Sequence, residues 1–379
     1  MMYLVVCCLL ILFKFSHGSF ETRLEAIKYE KSQRPFYGTG NVNVTVQIFV
    51  YLIGPINEVD FTFEIGFYLR QWWVDPRLAF NNTSEIFHAT TLDHLIWIPD
   101  TSVYHSREVR IFENAVRAII KPSGAVYYSR RLTSKIHCHM DLTFYPMDTQ
   151  ECHLTFENYA FTTNQVNISW HKIPIVRSTM LELNGYSLMG ISSNTILKPS
   201  LVGNKTTYFK LLQSRYTVKR SYMNHIYRTF IPSSLLLIFA FGSFWVPDTA
   251  VPARMGMIVT SFLSSTFILQ GVSDTTVMVS YTTPMQMFLL INVVLIVCCM
   301  IQYLIVLKGR SNQLHSNPTC FENETVEECD KVETEKCDVS IRPSSGTQIV
   351  HIVDKISRII FPVLYAAFCA TFFGYYFKQ

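Results

Sequence analysis

Charged side chains are scarce in this sequence. Of its 379 residues, 16% are Asp, Glu, Lys or Arg and 49% are hydrophobic, whereas soluble domains carry about 25% charged residues. The formal net charge is only +4, and the sequence has no long run of Lys and Arg, which argues against a nucleic-acid partner. The length is sufficient for two domains, and the composition indicates a membrane protein.

The N-terminus lacks an apolar run long enough to cross a membrane. The run there covers residues 3–13, which is eleven residues, whereas a helix needs about 20 residues to cross a bilayer. The small residues Ser16, Gly18 and Ser19 follow it. This pattern predicts a secretory signal peptide at residues 1–19, and a short membrane anchor is the alternative.

Cysteine is also scarce between the predicted signal peptide and residue 222, where only Cys138 and Cys152 occur. Two cysteines in a secreted compartment imply one disulfide. It would close a loop of thirteen intervening residues, which is worth about 3 kcal/mol in the chain-entropy model. The spacings of Cys320, Cys329 and Cys337 in a later polar stretch do not match a zinc pattern, so neither a metal nor a cofactor is expected.

Residues 20–222 contain no long apolar run, and short segments with period-two alternation dominate instead. Examples are residues 43–52, 59–69 and 151–159, with turn signals at Gly54-Pro55 and Asp75-Pro76. This pattern predicts an antiparallel, immunoglobulin-like β-sandwich. Asn-x-Ser/Thr sequons in the same region agree with a glycosylated extracellular surface. These sequons are at Asn43, Asn81, Asn82, Asn167 and Asn204.

The second half of the chain contains four apolar segments, each near the length that a bilayer needs. The segments cover residues 230–246, 255–272, 283–307 and 359–377. They predict an α-helical transmembrane domain of four helices, with both chain termini outside and the basic residues Lys308 and Arg310 inside. The predicted domains are the signal peptide at 1–19, the extracellular sandwich at 20–225, helices one to three at 226–308, a cytoplasmic linker at 309–350 and the fourth helix at 351–379.

The second apolar segment carries polar residues on one face. Spacing of three or four residues places Gly256, Thr260, Leu263, Phe267 and Gln270 together. Thr260 and Gln270 would be disfavoured against lipid but suit a water-filled path, although polar packing between helices is the alternative. Because one helix cannot enclose a channel, a pore would require a ring of subunits.

A set of motifs runs along the chain in a specific order. The segment from Cys138 to Cys152 contains the aromatic-Pro-x-Asp core Tyr145-Pro146-Met147-Asp148. Further motifs are Trp97-Ile-Pro-Asp100, Pro232, Val251-Pro-Ala-Arg254 and Asp354-Lys-Ile-Ser-Arg-Ile-Ile-Phe-Pro362. The set resembles the Cys-loop receptors, or pentameric ligand-gated ion channels, over nearly the whole mature chain. The resemblance implies a homo- or hetero-pentamer with related subunits, in contact with membrane lipid, in a postsynaptic plasma membrane.

Within this family, Pro252-Ala253-Arg254 resembles the cytoplasmic pore mouth of the anion-selective branch, which GABA, glycine or glutamate opens. Arginines near a narrow exit attract anions, so chloride is the expected ion. Leu263 matches the gate leucine, and a ring of leucines can close a pore by dewetting. We expect Arg254 to lie just before the second helix proper, where the chain after Pro252 is not yet helical. The expected pore residues are Ala253, Arg254, Gly256, Thr260, Leu263 and Phe267.

The resemblance also implies a neurotransmitter site between subunits. Arg70 matches an arginine that holds the ligand carboxylate, a task that suits a guanidinium fork, and aromatic faces would attract a ligand ammonium. The alternatives are that Tyr68 and Tyr159 pack a strand face and that Arg70 forms a surface ion pair. The expected ligand-binding residues are Tyr68, Arg70, Ser129, Tyr159 and Phe161, together with Thr206 or Thr207 and Tyr208 or Phe209.

The expected function is a subunit of a chloride channel that a small amine-bearing transmitter such as GABA opens. After the second helix, Ser273, Val277 and Met278 replace the usual Arg, Pro and Lys of the family. This departure keeps two alternatives open, a cation-permeable member of the same family and a non-conducting auxiliary subunit. No metal or nucleophile constellation surrounds His137 and His139, so an enzyme is not expected.

Overall fold

The computed structural model describes residues 24–376 and 378, except residues 26, 81–85, 89–93, 182, 203–204, 248, 276–278 and 317–344. The predicted signal peptide and the sequons at Asn81, Asn82 and Asn204 lie outside the described residues, as do Val277 and Met278. The chain forms two compact units. One contains the β-strands, and the other contains the helices together with Leu142–Asp148.

Ten β-strands among the described residues form the first unit. They are β1 (Val42–Asn57), β2 (Thr62–Val74), β3 (Ile86–His88), β4 (Thr101–Tyr104), β5 (Ser106–Ile120), β6 (Ala125–His137), β7 (Thr149–Asn158), β8 (Val166–Arg177), β9 (Tyr186–Val202) and β10 (Lys205–Arg220). Sheet A has the order β3-β5-β6-β2-β1-β8, and sheet B has the order β4-β7-β10-β9. Among these strands β1 and β8 pair in parallel, whereas the prediction was of an antiparallel sandwich.

Alternation along the strands produces the core of this unit. In β1, the side chains of Val42, Val44 and Val46 are fully buried, because every second residue of a strand points to the same face. The rings of Phe67 in β2 and Phe156 in β7 pack edge to face across the two sheets, 5.5 Å apart. The predicted β-sandwich is therefore confirmed, and each strand also presents an outer face on which functional side chains can lie.

The predicted disulfide is confirmed. Cys138 follows the last residue of β6, and its sulfur is bonded to that of Cys152 in β7, with the two Cα atoms 5.0 Å apart. Both cysteines are buried. The bond links the residue after β6 of sheet A to β7 of sheet B, so it joins the two layers of the sandwich.

Replacing Cys138 with Ser should therefore strongly reduce the amount of protein at the cell surface. Loss of a native disulfide from a secreted domain costs about 2–5 kcal/mol, a large part of a domain's net stability. Surface biotinylation measures the effect. The double variant Cys138→Ser/Cys152→Ser, which leaves no unpaired thiol, should be reduced to a similar degree. Wild-type surface levels for both variants would contradict a structural role for the bond.

Within the described residues, the second unit contains four long helices. They are α1 (Met223–Trp245), α2 (Val251–Thr275), α3 (Pro284–Ser316) and α4 (Ser345–Tyr376). Each contains a stretch long and apolar enough to cross a membrane, so the prediction of four spans is confirmed. Helix α2 packs mainly against α1 and α3, and buried residues such as Phe241, Ile258 and Tyr303 form the core of the unit.

The expectation that Arg254 precedes the second helix is wrong. Helix α2 begins at Val251, so Arg254 lies within its first turn. Proline is compatible with this start, because the first backbone N–H groups of a helix have no acceptor within it and Pro252 lacks only such a group. As a result, the direction of the Arg254 side chain follows from the helical periodicity of α2.

Candidate functional site

A row of four polar side chains crosses the outer face of sheet A. The strand register places Gln47 of β1 opposite Arg70 of β2, Arg70 opposite Ser129 of β6, and Ser129 opposite Arg117 of β5. Neighbouring strands lie about 4.8 Å apart, so the two arginines flank the serine at roughly equal distance. Three strand pairings thus bring together residues that are far apart in the sequence.

Arg70 is held in a defined position within this row. Its Nη1 donates a hydrogen bond to Gln47 Oε1 over 3.0 Å, and its guanidinium carbon lies 5.1 Å from the ring centre of Phe49. Gln47 is itself buried, and its Nε2 donates to the carbonyl oxygen of Ile173 in β8 over 2.8 Å. The amide of Gln47 therefore connects the Arg70 side chain to the backbone of the next strand.

A cavity of about 370 Å³ opens over the row. Tyr68, Arg70 and Ser129, three of the predicted ligand-binding residues, line it together. Arg117 and Tyr127 also contribute to the lining. Two guanidinium groups beside a hydroxyl group form a site that suits a carboxylate, because arginine recognises such an anion with two parallel hydrogen bonds.

The packing of Tyr68 agrees with both interpretations of this residue. Its ring centre lies 6.1 Å from that of Phe49 and 5.4 Å from that of Tyr51, so the ring does pack on its strand face. The same ring also lines the cavity. The interpretation of Arg70 as a surface ion pair is not favoured, because its hydrogen-bond partner is an amide.

A second cavity, of about 240 Å³, lies on sheet B. Among the predicted ligand-binding residues, Tyr159 and Phe209 line it. The other lining residues were not among the predicted site residues. These are Tyr104, Glu157, Asn158, Lys198 and Ser200. The ring of Tyr159 is 82% exposed, so its face is accessible to a ligand or to a neighbouring molecule.

The remaining predicted ligand-binding residues line neither of these two cavities. Phe161 packs edge to face against Trp97, with the ring centres 6.2 Å apart. The Thr207 hydroxyl donates to the Ser200 carbonyl oxygen over 3.1 Å, within the β9–β10 hairpin. Thr206 and Tyr208 are exposed. The roles of these four residues remain predictions.

Charges of both signs meet in the second cavity. Burial raises the pKa of Glu157, and the positive charges of Lys198 and His105 act in the opposite direction. Lys198 Nζ donates a hydrogen bond to Tyr104 Oη over 2.8 Å, and this bond raises the pKa of Lys198. The ammonium group of Lys198 therefore stays charged at neutral pH.

One side of helix α2 is exposed along its length. Predicted pore residues share this stripe and are Ala253, Gly256, Thr260, Leu263 and Phe267. Leu263 is 49% exposed and Phe267 is 71% exposed. The Thr260 hydroxyl donates to the carbonyl oxygen of Gly256 over 2.7 Å, so part of its hydrogen-bonding capacity is used within the helix. The stripe leaves a mixed polar and apolar surface that another subunit or water could contact.

Arg254 lies on the opposite side of α2 from this stripe and is fully buried. Nine residues at about 100° each place it about 180° from Leu263 on a straight helix. Its two terminal nitrogens donate to the carboxylate of Asp354 over 3.1 and 2.8 Å. Its guanidinium carbon lies 4.7 Å from the ring centre of Tyr303. A role for Arg254 in ion selection remains a prediction, and Asp354 compensates the charge that it would contribute.

Two sequons lie opposite each other on sheet A. Asn43 of β1 pairs with Asn167 of β8, and the amide of Asn167 donates to the side-chain oxygen of Asn43 over 3.0 Å. Lys210 Nζ donates to the Asn167 side-chain oxygen over the same distance. Glycosylation at either position remains a prediction.

Comparison with known proteins identifies similar sequences for both units. Residues 20–222 match the neurotransmitter-gated ion-channel ligand binding domain, and residues 229–344 match the neurotransmitter-gated ion-channel transmembrane region. Gamma-aminobutyric acid receptor subunit rho-1 of Homo sapiens is 29% identical over 75% of this chain and 60% of its own length. Subunit rho-3 of Rattus norvegicus is 26% identical over 94% of this chain and 87% of its own length. The chain thus spans about 60% of the length of rho-1.

Proposed function

This chain belongs to the neurotransmitter-gated ion-channel family, and we propose that it is a subunit of a pentameric anion channel in the plasma membrane. The observation that carries the proposal is the cavity on sheet A, where Arg70 and Arg117 flank Ser129. Such a site suits the carboxylate of a small transmitter. GABA is the first candidate, because the similar proteins are named as gamma-aminobutyric acid receptor subunits.

The exposed stripe of α2 supports a pore in a ring of subunits. Thr260 and Leu263 on this stripe combine a polar group with a bulky apolar group, as a path with a hydrophobic constriction requires. The first turn of α2, which the structure describes in full, contains no acidic residue, and helix N-termini carry partial positive charge. Both features favour anions over cations at this end of the pore.

Voltage-clamp recording from cells that express the chain tests the proposal. The chain should be expressed alone and together with subunit rho-1, and GABA, glycine and glutamate should be applied in turn. We expect either a transmitter-evoked current from the chain alone or a change in the current of the co-expressed subunit, with a reversal potential that moves by about 59 mV for a tenfold change in chloride. No evoked current and no effect on the current of the co-expressed subunit would contradict the proposal.

Replacing Ala253 with Glu should convert the selectivity of this channel toward cations. Ala253 lies on the exposed stripe in the first turn of α2, so a pentamer would present five carboxylates at the pore mouth, and rings of carboxylates favour cations. Ion substitution measures the change, and Ala253→Gln is the control, since it has the same size without charge and should keep chloride selectivity. A Glu variant that still follows the chloride gradient would show that this position does not set ion sign.

A further inference from the structure

The cavity on sheet B has the features of a site for a cationic ligand. The ring of Tyr104, the carboxylate of Glu157 and the exposed ring of Tyr159 all line it. Aromatic faces attract ammonium groups, and a nearby carboxylate adds charge attraction. If a ligand amine were bound on this unit, this cavity is where these groups would stabilise it.

The chain already places a cation of its own in this cavity. Lys198 Nζ lies 4.6 Å from the ring centre of Tyr104 and donates to its hydroxyl group over 2.8 Å. These are the contacts that a ligand ammonium would make, since a cation within about 6 Å of a ring centre is attracted by its face. The positive charge of Lys198 also acts to lower the pKa of Glu157, against the effect of burial.

Lys198 reaches Tyr104 only because the β9–β10 hairpin bends over sheet B. The strand register places Tyr104 level with Thr155, Thr155 level with Gln213, and Gln213 level with Asn194. Lys198 therefore lies three strands away from Tyr104, and four residues further along β9 than Asn194. On a flat sheet the two Cα atoms would be about 19 Å apart, given strand spacings of about 4.8 Å and a rise of about 3.3 Å per residue.

The bend of the hairpin has support that does not involve Lys198. Both the backbone N–H and the hydroxyl group of Thr163 donate to the carbonyl oxygen of Tyr208, over 3.0 and 2.8 Å. These bonds attach the hairpin to the segment that follows β7. The hairpin conformation therefore brings the exposed Lys198 side chain to this cavity, where the Tyr104 hydroxyl accepts its hydrogen bond.

We propose that Lys198 determines ligand specificity by occupying the amine position of its own cavity, so that this face of the chain rejects amine-bearing ligands. The proposal rests on the proposed receptor function. It assigns an asymmetric role to the chain. The chain binds the ligand carboxylate through its Arg70 face, and a related subunit without a cation at the corresponding position holds the ligand amine.

Binding of tritiated GABA to membranes from cells that express the full chain alone tests the proposal. The wild type should show little saturable binding. Lys198→Met, which keeps the length of the side chain without its charge, should bind GABA at least about tenfold more tightly, because two unit charges about 5 Å apart repel strongly near a protein surface. Lys198→Arg should bind as weakly as the wild type.

Several further variants test whether a change in GABA binding is due to the charge of Lys198. Lys172→Met removes an exposed lysine of β8 outside the cavity and should not change binding. Adding Glu157→Gln to Lys198→Met should reduce the gain. If Lys198→Met does not reach the surface in a biotinylation assay, Lys198→Gln provides the same comparison. Neutral variants that bind GABA no better than the wild type overturn the proposal.

The same experiment separates this proposal from the proposed function. Binding reports the Lys198 effect without any current, so a gain in binding by a chain that never conducts would support the role of Lys198 and contradict the channel. An evoked anion current together with unchanged binding in Lys198→Met would support the channel and contradict the role of Lys198.

Discussion

Replacing Asp354 with Ala should prevent most of the protein from reaching the cell surface. The Asp354 carboxylate accepts two hydrogen bonds from Arg254 and a third from Gln302 Nε2 over 2.8 Å. The side chain of Arg254 is fully buried, so the variant leaves a charge without its counter-ion inside the protein. Removing one partner of such a pair costs about 3–5 kcal/mol, which is a large part of the net stability of a typical domain.

Surface biotinylation and the thermal stability of the detergent-solubilised protein measure this loss. Lys355→Ala is a matched control on the same helix, because Lys355 is exposed, and it should behave as the wild type. The double variant Arg254→Leu/Asp354→Leu should recover much of the surface expression, since a buried ion pair can be replaced by apolar residues at little cost. Wild-type expression of Asp354→Ala would refute a structural role for the pair.

The double variant also bears on ion selectivity. If it reaches the surface and still conducts chloride, the charge of Arg254 is not required for anion selection. The exposed position of Ala253 and the positive end of α2 would then account for selectivity. Loss of chloride selectivity in the double variant would show instead that Arg254 acts on the permeating ion even though its guanidinium is bound by Asp354.

The fold could be predicted from the sequence because its signals are local. The alternating Val42, Val44 and Val46 are buried on one face of β1, and apolar stretches of bilayer length correspond to the four helices. The position of Arg254 was harder to predict. The periodicity of the helix already placed it opposite Leu263, but its partner Asp354 is 100 residues further along the chain, beyond the range of any local pattern.

In the candidate site too, local patterns were predictable from the sequence and long-range contacts were not. Alternation within β2 was enough to place Tyr68 and Arg70 on one outer face. Gln47 and Arg117 were missed, because they join the row only through the register of β1 and β5 with their neighbours. Lys198 was missed because its position depends on the bend of a hairpin. Gln47 gave no local signal either, because strand alternation places it with the polar Asn43 and Thr45.

Replacing Arg70 with Ala should raise the GABA concentration that gives half-maximal current by about 10- to 150-fold. A charge-assisted hydrogen bond contributes about 1.5–3 kcal/mol, and each 1.36 kcal/mol corresponds to a factor of ten. Concentration–response curves should be measured for the chain co-expressed with subunit rho-1, with surface expression determined in parallel. Arg107→Ala is the control, because Arg107 is 55% exposed and its ion pair with Asp60 is long, at 3.9 Å.

Two further substitutions separate the charge of Arg70 from its orientation. Arg70→Lys keeps the charge but loses the planar fork that binds a carboxylate with two bonds, so it should remain well below the wild type in potency.

Gln47→Leu keeps Arg70 but removes the acceptor that holds its Nη1. The removed bond positions the guanidinium but is not a bond to the ligand, so this variant should lose less potency than Arg70→Ala. Unchanged potency in Arg70→Ala, or an equal loss for an agonist without a carboxylate, would show that Arg70 does not bind the acidic group of the ligand. An unchanged response in Gln47→Leu alone would show that the guanidinium is positioned by Phe49 and its neighbours, and not by the amide of β1.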